Sequence, residues 1–164
     1  MTGLDTNVLA RYLTQDHPTQ SATAAREIEQ AARSGANLVI SPIVLCELVW
    51  VLESAYDYGR SEVAGALDRI LRTAQFEVLE KDLLWPALED YRRGPGDFAD
   101  YYLGRRHHLA GAEHTLTFDQ HLKSCRHFRV LIEDRMDVAA ARKALAGKSP
   151  RIPLAAILRK YGVK

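Results

Sequence analysis

Four carboxylates stand in settings where a folded chain seldom leaves an acid without a task. Asp5 closes the opening Met1–Leu4 and is followed by Thr6 and Asn7. Glu47 is the only charged residue between Asn37 and Leu52. Asp100 follows Asp97 in Gly-Asp-Phe-Ala-Asp, and Asp119 ends Thr-Leu-Thr-Phe-Asp. A buried carboxylate that is neither paired nor bound to a cation costs on the order of several kcal/mol, comparable with the stability of a whole domain. Several acids around one pocket repel each other and call for a divalent metal. Mg²⁺ and Mn²⁺ suit such a set, because they prefer oxygen ligands, keep several waters and need few carboxylates. The metal would stabilise charge on a phosphate and lower the pKa of an attacking water. A carboxylate not fully engaged by it can take the proton. Hydrolysis of a phosphodiester is the chemistry this set points to, with Asp5, Glu47, Asp100 and Asp119 as ligands, direct or through water.

Each acid also has a plainer reading. Asp5 and Asp97 can cap helices, Glu47 can pair with a buried arginine, and Asp119 can be a loop acid. Thr6 and Thr117 place hydroxyls beside the acids, where they orient a carboxylate, water or phosphate, or simply make a structural hydrogen bond. Other chemistries find less support. Gly94-Pro95-Gly96-Asp97 lacks the Lys-Ser/Thr of a phosphate-binding loop. The histidines at 107, 108, 114, 121 and 127 form no His-Glu-x-x-His pattern, and the adjacent His107 and His108 read as helix surface. Cys46 and Cys125 have no metal-ligand spacing, and Cys46 reads as core. A phosphatase with Asp5 as covalent nucleophile would need an acid two residues on, where Asn7 stands.

The elements that must position the acids follow from pattern and punctuation. Strands are expected at Met1–Leu4, Leu38–Ile40, Phe76–Leu79, Thr115–Phe118 and Phe128–Ile132. Helices are expected from Asp16 as cap, with Pro18 in the first turn, to Gly35; from Ser41 and Pro42 onward; from Ser61 as cap to Leu71; from Asp82 to about Arg92, with Pro86 an awkward fit; and from about Asp97 to Ala110. Strands alternating with helices imply an α/β fold with a mainly parallel sheet. Ligands of such sheets bind beyond the strand C-termini. Asp5 and Asp119 lie there, Glu47 sits early in the helix after the second strand, and Asp97 and Asp100 share one face of a helix start. Four segments thus bring acids to one end of the sheet.

The chain has 164 residues, nearly half of them hydrophobic, enough for one disulfide-free core. Its two cysteines fit a reducing compartment, and neither a signal peptide nor a membrane span is expected, since Ser41, Pro42 and Glu47 break the longest apolar stretch. The net charge of +1 conceals an asymmetry. Residues 133–164 hold eight basic and three acidic residues, a charge of +5, whereas the other 132 hold 14 basic and 18 acidic, a charge of −4. Trp50, Tyr56, Tyr58 and Trp85 exceed what one small core readily absorbs and suggest a symmetric homodimer.

Leu4-Asp5-Thr6-Asn7-Val8-Leu9 with Arg11-Tyr12, Ser41-Pro42 before Glu47, Asp97-Phe98-Ala99-Asp100-Tyr101 and Thr117-Phe118-Asp119 together resemble PIN-domain ribonucleases of the VapC toxin type. The resemblance spans residues 1 to about 132. It implies a three-layer α/β/α fold, a Mg²⁺ or Mn²⁺ site, endonucleolytic cleavage of RNA in the cytoplasm as the toxin of a toxin–antitoxin system, and commonly a homodimer. Carried over by motif, the metal acids are Asp5, Glu47, Asp100 and Asp119, with Asp97 as an extra acid and Thr6, Asn7 and Thr117 as supporting polar residues. Where the family usually continues with small apolar residues after Asp100, this chain has Tyr101, Tyr102, Gly104 and then Arg105-Arg106-His107-His108.

Residues 133–164 fall outside that pattern and resemble the C-terminal portion of RelB/Phd-type antitoxins, an acidic-start helix followed by an Ile-Pro step and a short helix ending in Gly. Val138, Ala141 and Leu145 share one helix face, and Ile152, Leu154, Ile157 and Leu158 can make another. Two such short helices need a surface to pack on. The expectation is a PIN-like domain at 1–132 and an antitoxin-like helical tail at 133–164 that docks on a PIN domain and brings Arg142 or Arg151 to the acids. A catalytically silent RNA-binding or assembly module on the same fold is the alternative.

Overall fold

A computed structural model describes residues 1–132 together with Pro153, Ala156 and Arg159. Contacts group the chain into Met1–Val130 and Leu131–Lys164. The expected tail helices, Arg142 and Arg151 lie outside the described residues.

Strands and helices alternate as the pattern requires: β1 (Thr2–Gly3), α1 (Thr6–Thr14), α2 (Pro18–Ser34), β2 (Leu38–Ile40), α3 (Pro42–Ser54), α4 (Arg60–Arg72), β3 (Phe76–Val78), α5 (Lys81–Arg93), α6 (Phe98–Leu109), β4 (Thr115–Thr117), a 3₁₀ turn (Gln120–Ser124) and β5 (Phe128–Val130). All ladders are parallel. β1 pairs with β2 through Thr2–Leu38 and Gly3–Val39, and β2 pairs with β3 through Leu38–Phe76 to Ile40–Val78. β4 pairs with β5 from Thr115–Phe128 to Thr117–Val130. The fold is the expected α/β arrangement, with its ladders divided into a three-stranded and a two-stranded sheet. Between parallel strands the chain must cross over, and helices supply each crossover from β1 to β2 and from β2 to β3.

The core joins Leu9, Ile40, Leu45, Leu48, Leu52, Leu67, Leu71, Leu84, Leu88, Tyr91 and Phe98, all essentially inaccessible. Each such side chain contributes about 1.5–3 kcal/mol through burial. Helix α3 is apolar nearly all round, because α1, α4 and α6 all pack on it.

Two expected caps are moved. His17, not Asp16, caps α2: its Nδ1 accepts the Gln20 N–H at 3.3 Å. Asp16 is taken by α1 and the turn after α3 instead, where Arg11, the Tyr56 hydroxyl (2.8 Å) and the Thr14 hydroxyl (2.8 Å) hold it. Gly59, not Ser61, precedes α4, and Glu62 accepts the Gly59 N–H at 2.9 Å. Pro86 lies inside α5, where the packed Leu84, Ala87, Leu88 and Tyr91 outweigh its missing N–H. Gly104 is dictated by space: a Cβ there would stand 2.7 Å from the Phe128 ring, so only glycine lets α6 approach β5 this closely.

The aromatic residues divide. Trp50 is 68% exposed and Tyr58 38%, along with Ile43 at 74%. Tyr56 and Trp85 are half-buried against the core rather than exposed, Tyr56 through its bond to Asp16 and Trp85 beneath the Arg72 guanidinium, 4.9 Å from the ring centre. Cys46 is likewise half-buried, and burial pushes its thiol up to about 11. Among the described residues no helix is long and apolar enough to cross a membrane.

Candidate active site

The site begins where β1 gives way to α1. Asp5 occupies the cap position of α1 in extended backbone (φ −89°, ψ 157°), yet its side chain makes no capping hydrogen bond. The carboxylate is exposed and free of the task its position offers. The next residue, Thr6, is buried and donates its hydroxyl hydrogen to Glu47 Oε2 at 2.6 Å. This bond ties α1 to α3, and no buried arginine pairs with Glu47 among the described residues. Asn7 follows on the exposed side of α1, at the edge of a groove shared with α2.

A second group forms at the start of α6. Asp97 is its cap residue, and Asp100 Oδ2 accepts the Asp97 N–H at 3.1 Å. Asp100 is half-buried and its pKa is raised, chiefly by loss of solvent and further by the negative charges of Asp97 and Asp119. The charge of Asp119, 19 residues further along the chain, therefore reaches Asp100 as that of its neighbour Asp97 does. Asp119 follows β4; its pKa is lowered by the His121 N–H (2.9 Å) and by the His121 ring, whose Nδ1 lies 2.9 Å away. The Thr117 hydroxyl accepts the Asp119 N–H at 3.0 Å and so shapes the turn that presents this acid. Helix α3 packs on both α1 and α6, which places it between the two groups.

Three residues that shape the site are not among the expected site residues. His121 is one. Arg60 is the second: its Nη1 donates to the carbonyls of Tyr91 (2.7 Å), Gly94 (3.0 Å) and Gly96 (3.0 Å), and its guanidinium lies 4.3 Å from the Tyr91 ring centre. Tyr101 is the third; its hydroxyl accepts the Gly96 N–H at 2.9 Å. Together Arg60 and Tyr101 fix the α5–α6 loop that leads into Asp97. An arginine in a helix and a tyrosine beside an acid are common features, and only the fold shows that both reach one loop.

The donor set is made of hard carboxylate oxygens, which suit a divalent cation of the Mg²⁺ or Mn²⁺ kind. Among the described residues no three His, Cys, Asp or Glu side chains draw together as a metal cage. Mg²⁺ keeps several waters and needs only one or two carboxylates.

Residues 4–127 match the family model of the PIN domain. The chain belongs to the PIN-domain family. Over 120 residues this PIN-domain protein is 26% identical to the VapC ribonuclease of Aquifex aeolicus (strain VF5), covering 73% of this chain and 88% of the relative. No solved structure matches it. The matched span of the PIN domain contains Asp5, Glu47, Asp97, Asp100 and Asp119, and ends before residues 133–164.

Proposed function

We propose that this chain is a divalent-metal-dependent endoribonuclease and the toxin of a toxin–antitoxin pair. One observation carries the reading: Asp100 is half-buried at the start of α6 in a PIN domain, its N-terminal neighbour Asp97 offers the N–H that it accepts, and the negative charges of Asp97 and Asp119 reach it, which a cation would relieve. The likeness to a ribonuclease supports RNA as substrate. In this reading Asp5, Glu47, Asp100 and Asp119 hold Mg²⁺ or Mn²⁺ directly or through water, and Asp97 adds charge to the set. When bound, the metal supplies an acidified water and charge neutralisation at the phosphate. Thr6 orients Glu47, Thr117 shapes the Asp119 turn, and Asn7 lines the approach to Asp5. The protein acts in the cytoplasm as a homodimer, and its antitoxin, or its own residues 133–164 through Arg142 or Arg151, restrains it.

The test is direct. Asp5→Asn keeps the shape and removes an anionic ligand, so cleavage of RNA should vanish while the far-UV spectrum and melting temperature hold. Adding Asp119→Asn should cost little more, because the acids act as a unit. Cleavage by Asp5→Asn at the wild-type rate in saturating Mg²⁺ would sink the assignment. The other reading is a catalytically silent RNA-binding or assembly module on the same fold. It would be established by wild-type protein that binds RNA but cuts none with either metal.

A further inference from the structure

Behind the loop that leads into Asp97 lies a cavity of about 380 Å³, between the ends of α5 and α6 and the turn before β5. Its volume falls within the range of small-ligand sites, about 300–1,000 Å³. Arg93, Arg105, Arg126 and His127 line it, against one acid, Asp90. Arg105 reaches Asp90 through Nε (3.1 Å) and Nη2, both to a single carboxylate oxygen, which leaves Nη1 for another acceptor. Arg126 is exposed and has no acidic partner among the described residues. Arg93 is paired with Glu89, one turn back on α5, at 3.2 Å.

His127 lies beside these cations. Its protonated form is disfavoured, first by partial burial and then by His108, Arg105 and Arg126, with Asp90 opposing. The His108 ring lies 4.7 Å from it, centre to centre. Burial would disfavour any charge here, so it is the guanidinium groups of Arg105 and Arg126, beside a single acid, that suit the cavity to an anion. Fork-shaped guanidinium groups favour phosphate oxygens in particular. The cavity shares Gly94, Pro95 and Tyr101 with the segment that positions Asp97 and Asp100, so the two sites adjoin one loop.

We infer that this cavity binds a backbone phosphate of single-stranded RNA away from the bond that is cut, with Arg105 and Arg126 as the phosphate contacts. The inference rests on the nuclease reading for the identity of the polymer. It adds a positive site that holds the strand in register on the acids. Such contacts position the chain and carry no sequence information themselves.

The experiment uses the full chain in EDTA, so that binding is read without cleavage. The His127 ring is followed by NMR through a pH titration, alone, with inorganic phosphate, and with a short RNA oligonucleotide. The oligonucleotide should raise the His127 pKa, and Arg126→Gln should remove most of that rise. The log–log salt dependence of RNA affinity should become shallower by about 0.7 in Arg126→Gln, the share of one phosphate contact on a single strand. With Mg²⁺ restored, the variant should show a raised KM and an unchanged kcat. A His127 titration that ignores the oligonucleotide, or responds only to inorganic phosphate, overturns the inference. So does an unchanged salt slope in a folded Arg126→Gln protein. Either result leaves the nuclease reading intact, since that fails only if wild-type protein does not cut RNA.

Discussion

Thr6 is buried at the first turn of α1 with its hydroxyl on Glu47, 41 positions away in sequence. The bond fixes a carboxylate that would otherwise swing on an exposed face. Thr6→Val keeps the shape and removes the donor. Water can replace part of the lost bond, because Glu47 is accessible, so the expected loss of stability is about 1 kcal/mol. The larger effect should be on kcat, with a drop of about tenfold, equivalent to ~1.4 kcal/mol of barrier, as Glu47 loses its orientation. Thr6→Ser should retain most activity. Urea denaturation and initial cleavage rates separate the two effects; equal rates for the Val and wild-type proteins would remove Thr6 from the site. The threonine beside Asp5 was visible in sequence as a neighbour of an acid, but its partner was not. Sequence adjacency pointed to Asp5, whereas the helix start turns the side chain inward to α3.

At the scale of elements, the bounds followed from glycine, proline and the apolar period: Gly35 closes α2 at φ 67°, Pro42 opens α3, and Leu38–Ile40 is a strand as expected. The caps were less legible, because a side chain suited to capping can be claimed from outside its own helix. Asp16 shows this. Held by Arg11, Tyr56 and Thr14, its carboxyl lies well below the usual aspartate range. A group whose pKa falls on folding contributes stability that is complete above the unfolded value, near 3.9, and is lost as pH drops through the folded value. Asp16→Asn should therefore lower the urea midpoint at pH 7 and flatten its fall between pH 4 and pH 2. A variant whose acid limb parallels that of wild type would show that the network is not linked to folding. Arg60 belongs to the same scale. Its three carbonyl contacts set the α5–α6 loop, so Arg60→Met should cost about 2–3 kcal/mol by charged hydrogen bonds lost, partly offset by retained packing on Tyr91. Cleavage should fall further than stability alone explains, since Asp97 and Asp100 follow that loop. Measuring kcat well below the melting temperature checks this; a full wild-type rate there would confine Arg60 to a structural role.

At the scale of the whole molecule, charge and exposed apolar surface argue for partners. Ile43 and Trp50 flank Glu47 at helical spacing on α3, with more than two thirds of each side chain's surface open. Surface of that kind beside an acidic site suits coverage by another chain. The excess of +5 in residues 133–164 faces an excess of −4 in the rest of the sequence, so the tail is electrostatically suited to an acidic surface such as this one. Arg142 or Arg151 in the acid set would compete with the divalent metal and with the phosphate of the substrate. Removing residues 133–164 should then raise the cleavage rate at fixed protein concentration and make expression in growing cells more toxic. Excess Mn²⁺ should narrow the difference, because metal and arginine seek the same carboxylates. High salt should narrow it as well, since screening weakens the tail more than it weakens buried contacts. A second outcome is that truncation uncovers apolar surface and the shortened protein aggregates. Comparing only the soluble, folded fractions, at equal active concentration and with light scattering to record their mass, separates release of inhibition from loss of solubility. Equal rates for the full-length and shortened proteins, both folded and of the same oligomeric state, would show that the tail does not restrain the nuclease.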